Sequence, residues 1–221
     1  MEQLHHFERE IDFLRSKISK MLLLVTESLE NSIKSLESRD LNLANRVLEM
    51  DDLIDQTNRD IENEVFQIIG RYTPLSKNLR YVIAMIKFSN DLERIGDLAC
   101  NIAEKTVKVI ENNLDFRLTK ELKDMVGTAI KMVKEAVKSF SNRDLELAKR
   151  IWKEDDIVDD LQVEIIKLVE NKVKSDDSFQ PELISVYILL AHDIERIADH
   201  ATNLCEEVIY IETGKNITDV L

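Results

Sequence analysis

The chain has 221 residues, of which 33% are charged and only 5% aromatic, and it contains 4 glycines and 2 prolines. A composition so poor in turn-forming residues favours long helices over sheets, and a hydrophobic fraction of 44% is enough to build a core. The formal net charge of -13 repels nucleic-acid backbones and anionic membrane surfaces, so we expect no nucleic-acid partner.

Apolar residues that recur at three- and four-residue steps predict three amphipathic helices in the first half of the chain. The first is followed by Asp40, a residue suited to cap the second helix, which ends near Gly70. Thr73 and Pro74 resemble the N-cap and first residue of a third helix, which ends near Asn112. The sequence therefore predicts a helix-helix-helix unit before the middle of the chain.

The second half of the chain repeats the first. Three segments return at an offset of 104 residues for the first two and 102 for the third: residues 39–46 as 143–150, 51–55 as 155–159, and 90–97 as 192–199. Two copies of a three-helix unit predict an all-α protein of two pseudosymmetric antiparallel three-helix bundles. We place the first bundle in residues 1–113 and the second in residues 114–221.

Each half carries two pairs of carboxylates, and the two members of a pair are four residues apart. The eight residues are Asp51, Asp55, Glu93, Asp97, Asp155, Asp159, Glu195 and Asp199. Residues at this spacing share one helix face, where each pair of like charges destabilises the helix by roughly a few tenths of a kcal/mol. A cation between them would remove this repulsion, and oxygen ligands suit Mg²⁺, Ca²⁺, Mn²⁺ or iron. We therefore expect a metal site in each half.

Arg94 and Arg196 directly follow a carboxylate of the predicted sites and offer a competing way to neutralise it. Because each lies one residue further round the helix than the preceding glutamate, we expect both to face outward or to reach the next helix. On that expectation, the carboxylates are left to a cation.

Segments Glu93–Asp97 and Glu195–Asp199, each preceded in its half by an Asp-x-x-x-Asp helix, resemble the doubled E(D)-x-x-x-D signature of the PhoU family. The stretch Pro74–Arg80 is similar to the one that precedes the third helix in that family. The resemblance covers nearly the whole chain. It implies a six-helix protein of two three-helix bundles whose carboxylates bind iron or other divalent ions.

The same resemblance implies a function. PhoU-like proteins are negative regulators of phosphate uptake and of the phosphate-starvation response, and are thought to link the ATPase subunit of a phosphate ABC transporter to a phosphate-sensing histidine kinase. We therefore expect a regulator that is not an enzyme, with a homodimer as a further expectation. The apolar run Met21–Val25 is too short to cross a bilayer, so we expect a cytoplasmic protein without direct membrane insertion.

Two other functions are compatible with a helical chain that is rich in carboxylates. One is a metal-free helical adaptor. The other is an all-α nucleotide pyrophosphohydrolase, which would use its carboxylates to hold Mg²⁺ for attack of water on a phosphate. Such an enzyme has to grip its nucleotide, and the sequence contains neither a Gly-rich phosphate loop nor a Lys/Arg cluster beside the carboxylates.

Overall fold

The computed structural model describes the backbone of residues 2–220 and the side chains of residues 5–220. Within this part of the chain the protein is all-α, with six long helices, one short 3₁₀ helix and no strand. The long helices are α1 (Glu2–Ser38), α2 (Leu41–Tyr72), α3 (Ser76–Glu111), α4 (Lys120–Asn142), α5 (Leu145–Ser175) and α6 (Pro181–Thr213), and the 3₁₀ helix spans Ile217–Asp219. None of these helices is both long and apolar enough to span a membrane.

The six helices form two three-helix bundles. Helices α1, α2 and α3 pack on one another, as do α4, α5 and α6, and the bundles meet through α3 against α6 and α1 against α4. Short connections make consecutive helices antiparallel. The predicted all-α fold of two antiparallel three-helix bundles is confirmed. The predicted boundary between residues 113 and 114 lies in the segment that joins α3 to α4, and the division into separate domains stays a prediction.

The second helix of each bundle begins at an aspartate that satisfies free backbone N–H groups. Asp40 Oδ1 accepts hydrogen bonds from Asn42 N (2.9 Å) and Leu43 N (3.2 Å). Asp144 Oδ1 accepts one from Leu147 N (3.0 Å). The cap predicted at Asp40 is confirmed, and its repeat performs the same function, which typically stabilises a helix by about 1 kcal/mol.

The prediction for the start of the third helix is wrong. Helix α2 continues past Gly70 to Tyr72, and Thr73 closes it in the left-handed region, at φ 44°, with its N–H donating to Ile69 O at 3.0 Å. Pro74 therefore follows the end of one helix instead of opening the next, a common position because proline cannot continue a helix. Helix α3 begins only at Ser76.

Helices α3 and α6 run antiparallel and carry charged pairs between the bundles. Ion pairs join Lys77 to Glu212 at 2.6 Å, Lys87 to Glu207 at 2.5 Å, and Lys105 to Asp193. His200 Nδ1 lies 2.9 Å from Asp91 Oδ1. Lys105 and Asp193 are both buried, so each charge depends on the other for its solvation. This interface holds the two bundles, and with them the two sets of carboxylates, in a fixed relation.

Candidate metal centres

The carboxylates predicted as metal ligands lie on α2 and α3 in the first bundle and on α5 and α6 in the second. In the first bundle, the negative charges of Asp97 and Asp55 act on Asp51 and raise its pKa. Glu93 belongs to the same group, because Asp97, Asp55 and Asp51 all act on it. The four carboxylates of the first bundle therefore share one electrostatic environment.

The second bundle repeats this arrangement. Asp155 is influenced by Asp199, Asp159 and Glu195. In neither bundle, within residues 5–220, do three His, Cys, Asp or Glu side chains converge closely enough to form a ready-made metal cage. An ion would have to draw the side chains together.

Close approach of α2 and α3 brings the carboxylates of the first bundle together. Gly96 lies between Glu93 and Asp97 in the sequence of α3, and it packs against Ile54 of α2. A Cβ atom at Gly96 would lie only 3.1 Å from Ile54 Cδ1, so the absence of a side chain permits this spacing. The equivalent residue of α6 is Ala198, which is also buried.

Burial and mutual repulsion disfavour the charged form of the carboxylates in the first bundle. Burial is the main cause of a raised pKa at Asp51. The neighbouring Cys100 thiol opposes this rise, and the charges of Asp97 and Asp55 each add a smaller increase. The pKa of Glu93 is raised, first by burial and then by the charge of Asp97. A cation beside these groups would offset both effects.

The same effects are stronger in the second bundle. Burial, followed by the charges of Asp199 and Asp159, raises the pKa of Asp155 to about 6. The pKa values of Asp159 and Glu195 are also raised, in each case first by burial and then by Asp199. At neutral pH the second bundle therefore holds carboxylates that gain little stabilisation from the protein around them.

Three carboxylate oxygens in these clusters are buried and have no hydrogen-bond partner among the described residues: Asp51 Oδ1, Asp155 Oδ1 and Glu195 Oε2. His192 Nδ1 lies 3.2 Å from Glu195 Oε2 but outside hydrogen-bond geometry. Asp51 and Asp155 occupy equivalent positions of the repeat. Because a buried polar atom without a partner costs free energy, these oxygens fit a cation as their missing partner.

Arginines partly neutralise the cluster of the first bundle. Arg94 Nη1 lies 3.0 Å from Asp97 Oδ2, and its Nε lies 3.5 Å from Glu93 Oε2. Arg59 Nη1 lies 3.4 Å from Asp55 Oδ2. Arg94 is exposed, as expected, but its long side chain folds back along α3 to the carboxylates, so the further expectation that these are left to a cation alone is wrong. Such exposed ion pairs are weak, at about 0–1 kcal/mol, so a cation could replace them.

Arg196, the counterpart of Arg94 in the repeat, is used differently. It makes no ion pair with Glu195 or Asp199 within the described part of the chain, and it lines a shallow pocket of about 380 Å³ together with Arg94, Asp97 and Cys100 of the first bundle. The carboxylates of the second bundle therefore lack the arginine partners that those of the first possess.

Cys100 is a residue of the first cluster that the sequence analysis did not assign. Its thiol is half-buried, lies beside Asp51 and donates to Val47 O at 3.8 Å. Burial, followed by the charge of Asp51, raises its pKa to about 12, so it is protonated at neutral pH. Its distance of three residues from Asp97 is the sequence signal that places it on the same face of α3.

Comparison with known proteins agrees with this architecture. The family model of the PhoU domain matches residues 18–106 and again residues 122–208. A protein of Thermotoga maritima described as phosphate-specific transport system accessory protein PhoU homolog 1 is 53% identical over 216 residues, which cover 98% of this chain and 93% of the relative.

Solved structures agree as well. The crystal structure of PhoU from Pseudomonas aeruginosa superposes with a TM-score of 0.87 at 31% identity and covers 95% of this chain and 100% of that one. The phosphate transport system regulatory protein PhoU from Streptococcus pneumoniae gives a TM-score of 0.87 at 26% identity, over 96% and 99% of the two chains. On the family match, the sequence identity and the shared fold, the chain belongs to the PhoU family.

Proposed function

We propose that this chain is a metal-binding regulatory protein of phosphate uptake, which represses uptake and the phosphate-starvation response when phosphate is plentiful. Support comes from its membership of the PhoU family and from the relative in Thermotoga maritima, whose description is accessory protein of a phosphate-specific transport system. In this proposal the chain is not an enzyme and acts in the cytoplasm by binding other proteins.

The observation that carries the metal-binding part is the pair of buried, unpartnered oxygens Asp51 Oδ1 and Asp155 Oδ1. They stand at equivalent positions of the repeat. In each case burial raises the pKa of the aspartate most, and the neighbouring carboxylates raise it further. Random surface acids would pair with lysine or arginine or face solvent. A hard divalent cation or iron in each bundle would satisfy these oxygens and offset the repulsion within each cluster.

Cation binding also suggests how the protein would engage its partners. With a formal net charge of -13, the chain repels acidic surfaces at long range. Ions held in both bundles would cancel part of this charge and stiffen the helices that carry the carboxylates. We propose that the loaded protein contacts the ATPase subunit of a phosphate ABC transporter and the phosphate-sensing histidine kinase, and so links uptake to gene expression.

Metal content of the purified protein tests the metal-binding part. We would compare the parent with Asp51→Asn/Asp97→Asn in the first bundle, Asp155→Asn/Asp199→Asn in the second, and the control Asp52→Asn/Asp156→Asn, which removes two charges at exposed neighbouring positions. Mass spectrometry should find metal in the parent and control, and a loss from one bundle in each site variant. Equal metal content in all four proteins would refute the sites.

The lone tryptophan gives an independent readout of the second bundle. Trp152 Nε1 donates to Glu206 Oε1 of α6 at 3.1 Å, so its fluorescence should change when an ion rearranges the carboxylates of α5 and α6. The change should follow Mn²⁺ titration of the parent and should be lost in Asp155→Asn/Asp199→Asn. A fluorescence response that survives in this variant would place the ion elsewhere.

The regulatory part needs a separate experiment in cells. Deletion of the gene should raise expression of a phosphate-starvation reporter in phosphate-rich medium, and the parent gene should restore repression. If a variant that combines all four site substitutions binds no metal but restores repression fully, the protein is a metal-free adaptor. If neither deletion nor restoration changes the reporter, the proposed regulatory function is wrong.

A further inference from the structure

A cleft of about 430 Å³ opens where α1, the start of α3 and the turn between α4 and α5 meet. Its polar lining consists of Arg15, Arg143, Asn78, Tyr81, Asp12 and Glu8. Tyr81 and Asp97 are 16 residues apart on α3, which corresponds to about 24 Å at a rise of 1.5 Å per residue. The cleft is therefore distinct from the carboxylate clusters.

The floor of the cleft is a rigid aromatic stack. Tyr81 is buried, and its ring lies parallel to that of Phe140 with centroids 5.3 Å apart. Phe140 in turn stacks on Phe88 at 4.0 Å. Two guanidinium groups lie over the Tyr81 ring, with Cζ of Arg15 at 5.2 Å and Cζ of Arg143 at 4.7 Å from its centroid. The stack thus holds two positive charges close together in an acidic protein.

The Tyr81 hydroxyl and the Arg143 guanidinium have hydrogen-bond donors that no described residue uses. Arg15 Nε donates to the Tyr81 hydroxyl at 2.6 Å, and Arg15 Nη1 donates to Asp12 Oδ1 at 3.1 Å. Because the Tyr81 hydroxyl accepts from Arg15, its own proton remains available to a ligand. The guanidinium of Arg143 has no hydrogen-bond or ion-pair partner in the described part of the chain. Of the two carboxylates in the lining, Asp12 pairs with Arg15 and Glu8 lies 3.7 Å from His5 Nδ1, so neither pairs with Arg143.

The internal repeat supplies a comparison for Arg143. Its counterpart Arg39 has the same left-handed backbone, at φ 56° against 55°. The Arg39 side chain donates to Leu114 O at 2.7 Å and to Val109 O at 3.4 Å, so it fastens the segment after α3. The left-handed backbone is strained for any residue with a Cβ atom. At Arg39 these side-chain bonds accompany the strained backbone, whereas Arg143 makes no such bonds. Its five N–H donors point to a use outside the fold.

We propose that this cleft binds a phosphate-type oxyanion, either inorganic phosphate or the phosphate group of a phosphomonoester. Arg143 would bind it through paired N–H donors, Arg15 would supply a second positive charge, and the Tyr81 hydroxyl would donate a hydrogen bond. A planar guanidinium fork suits a tetrahedral oxyanion. The ligand would bridge the first bundle, through α1 and α3, to the second bundle, through Arg143. This site does not depend on the proposed metal centres.

Calorimetric titration tests the site directly. Inorganic phosphate and phenyl phosphate would be titrated separately into the full-length protein in buffer with EDTA, so that phosphate bound through metal at the carboxylates does not contribute. Arg143→Gln should weaken binding by about tenfold or more, because it removes charge-assisted hydrogen bonds. Tyr81→Phe, which lacks only the hydroxyl, should weaken it by a smaller factor.

Arg150→Gln is the matched control, because it removes the same charge from an exposed arginine of α5 that pairs with Glu135 at 3.7 Å outside the cleft. Its affinity should stay within about twofold of the parent, since exposed charges act weakly at a distance in salt. Tighter binding of phenyl phosphate would identify a phosphomonoester as the ligand, and tighter binding of inorganic phosphate would identify the free ion. No saturable binding of either, or equal affinities of Arg143→Gln and Arg150→Gln, would overturn the proposal.

Discussion

Asp155 carries the most unfavourable charge of the second carboxylate cluster, and Asp155→Asn removes that charge while it keeps the side-chain shape. In the parent protein, burial raises its pKa from 3.8 to about 6, and Oδ1 is buried without a partner. We expect the asparagine variant to be more stable than the parent when no metal is present.

The size of the effect follows from the pKa. A rise from 3.8 to about 6 corresponds to about 3 kcal/mol of unfavourable free energy for the charged form in the fold. Asp155 is only partly buried, so solvent screening reduces this figure, and we expect about 1 kcal/mol. In EDTA at pH 7.5, urea unfolding should therefore show Asp155→Asn to be more stable by about this amount.

The dependence on pH provides an independent check. Because the folded state of the parent binds the Asp155 proton more tightly than the unfolded state, the folded protein loses stability relative to the variant as pH rises from 3.8 to about 6. The difference between parent and variant should be small below this range and fully developed above it. Measurements at pH 4, 5, 6 and 7.5 would trace it.

Added metal should reverse the order of stability. At about one hundred times its dissociation constant, an ion that binds only the folded state stabilises it by about 2.7 kcal/mol. Mn²⁺ at the second cluster should give this gain to the parent but not to Asp155→Asn, while any gain from the first cluster is common to both proteins. The exposed neighbour Asp156 supplies the control, since Asp156→Asn changes the charge equally. If Asp155→Asn is destabilised in EDTA, or behaves as Asp156→Asn does, the electrostatic account of the cluster is wrong.

Urea unfolding of further variants tests two contacts that hold the clusters in place and one helix-propensity effect. Lys105→Met should destabilise the protein by about 3–5 kcal/mol, because Asp193 is then buried without its partner, and adding Asp193→Leu should restore most of the loss. Gly96→Leu should cost about 1–3 kcal/mol through overlap with Ile54. Gly127→Ala, at a helix position with open space around it, should instead stabilise by about 0.5–1 kcal/mol; no gain there would contradict the helix-propensity argument.

The fold was largely predictable because its signals are local and repeated. The helical periodicity, the Asp40 cap and the duplicated segments needed no knowledge of tertiary structure. The start of α3 was not predictable in this way, because Thr73 and Pro74 suit the end of one helix as well as the beginning of another. Only the left-handed backbone of Thr73 distinguishes the two.

The candidate sites were predictable only in part. Spacing along a helix placed each carboxylate pair on one face, but it could not determine which way a flexible side chain turns. Arg94 therefore turned out to contact Glu93 and Asp97. The cleft around Arg143 was also beyond the sequence, because Arg15 and Tyr81 are distant in the chain and meet Arg143 only after the two bundles pack.

The two bundles share a backbone plan and the eight carboxylates, yet they differ in how those charges are balanced. Arg59 and Arg94 pair with carboxylates of the first cluster, whereas Arg196 leaves those of the second unpaired and lies at the first. A cation gains most where the least positive charge competes with it, so the second cluster should fill first in a titration. Trp152 fluorescence should then saturate before the total metal bound does; saturation of both together would show that the clusters are equivalent despite their arginines.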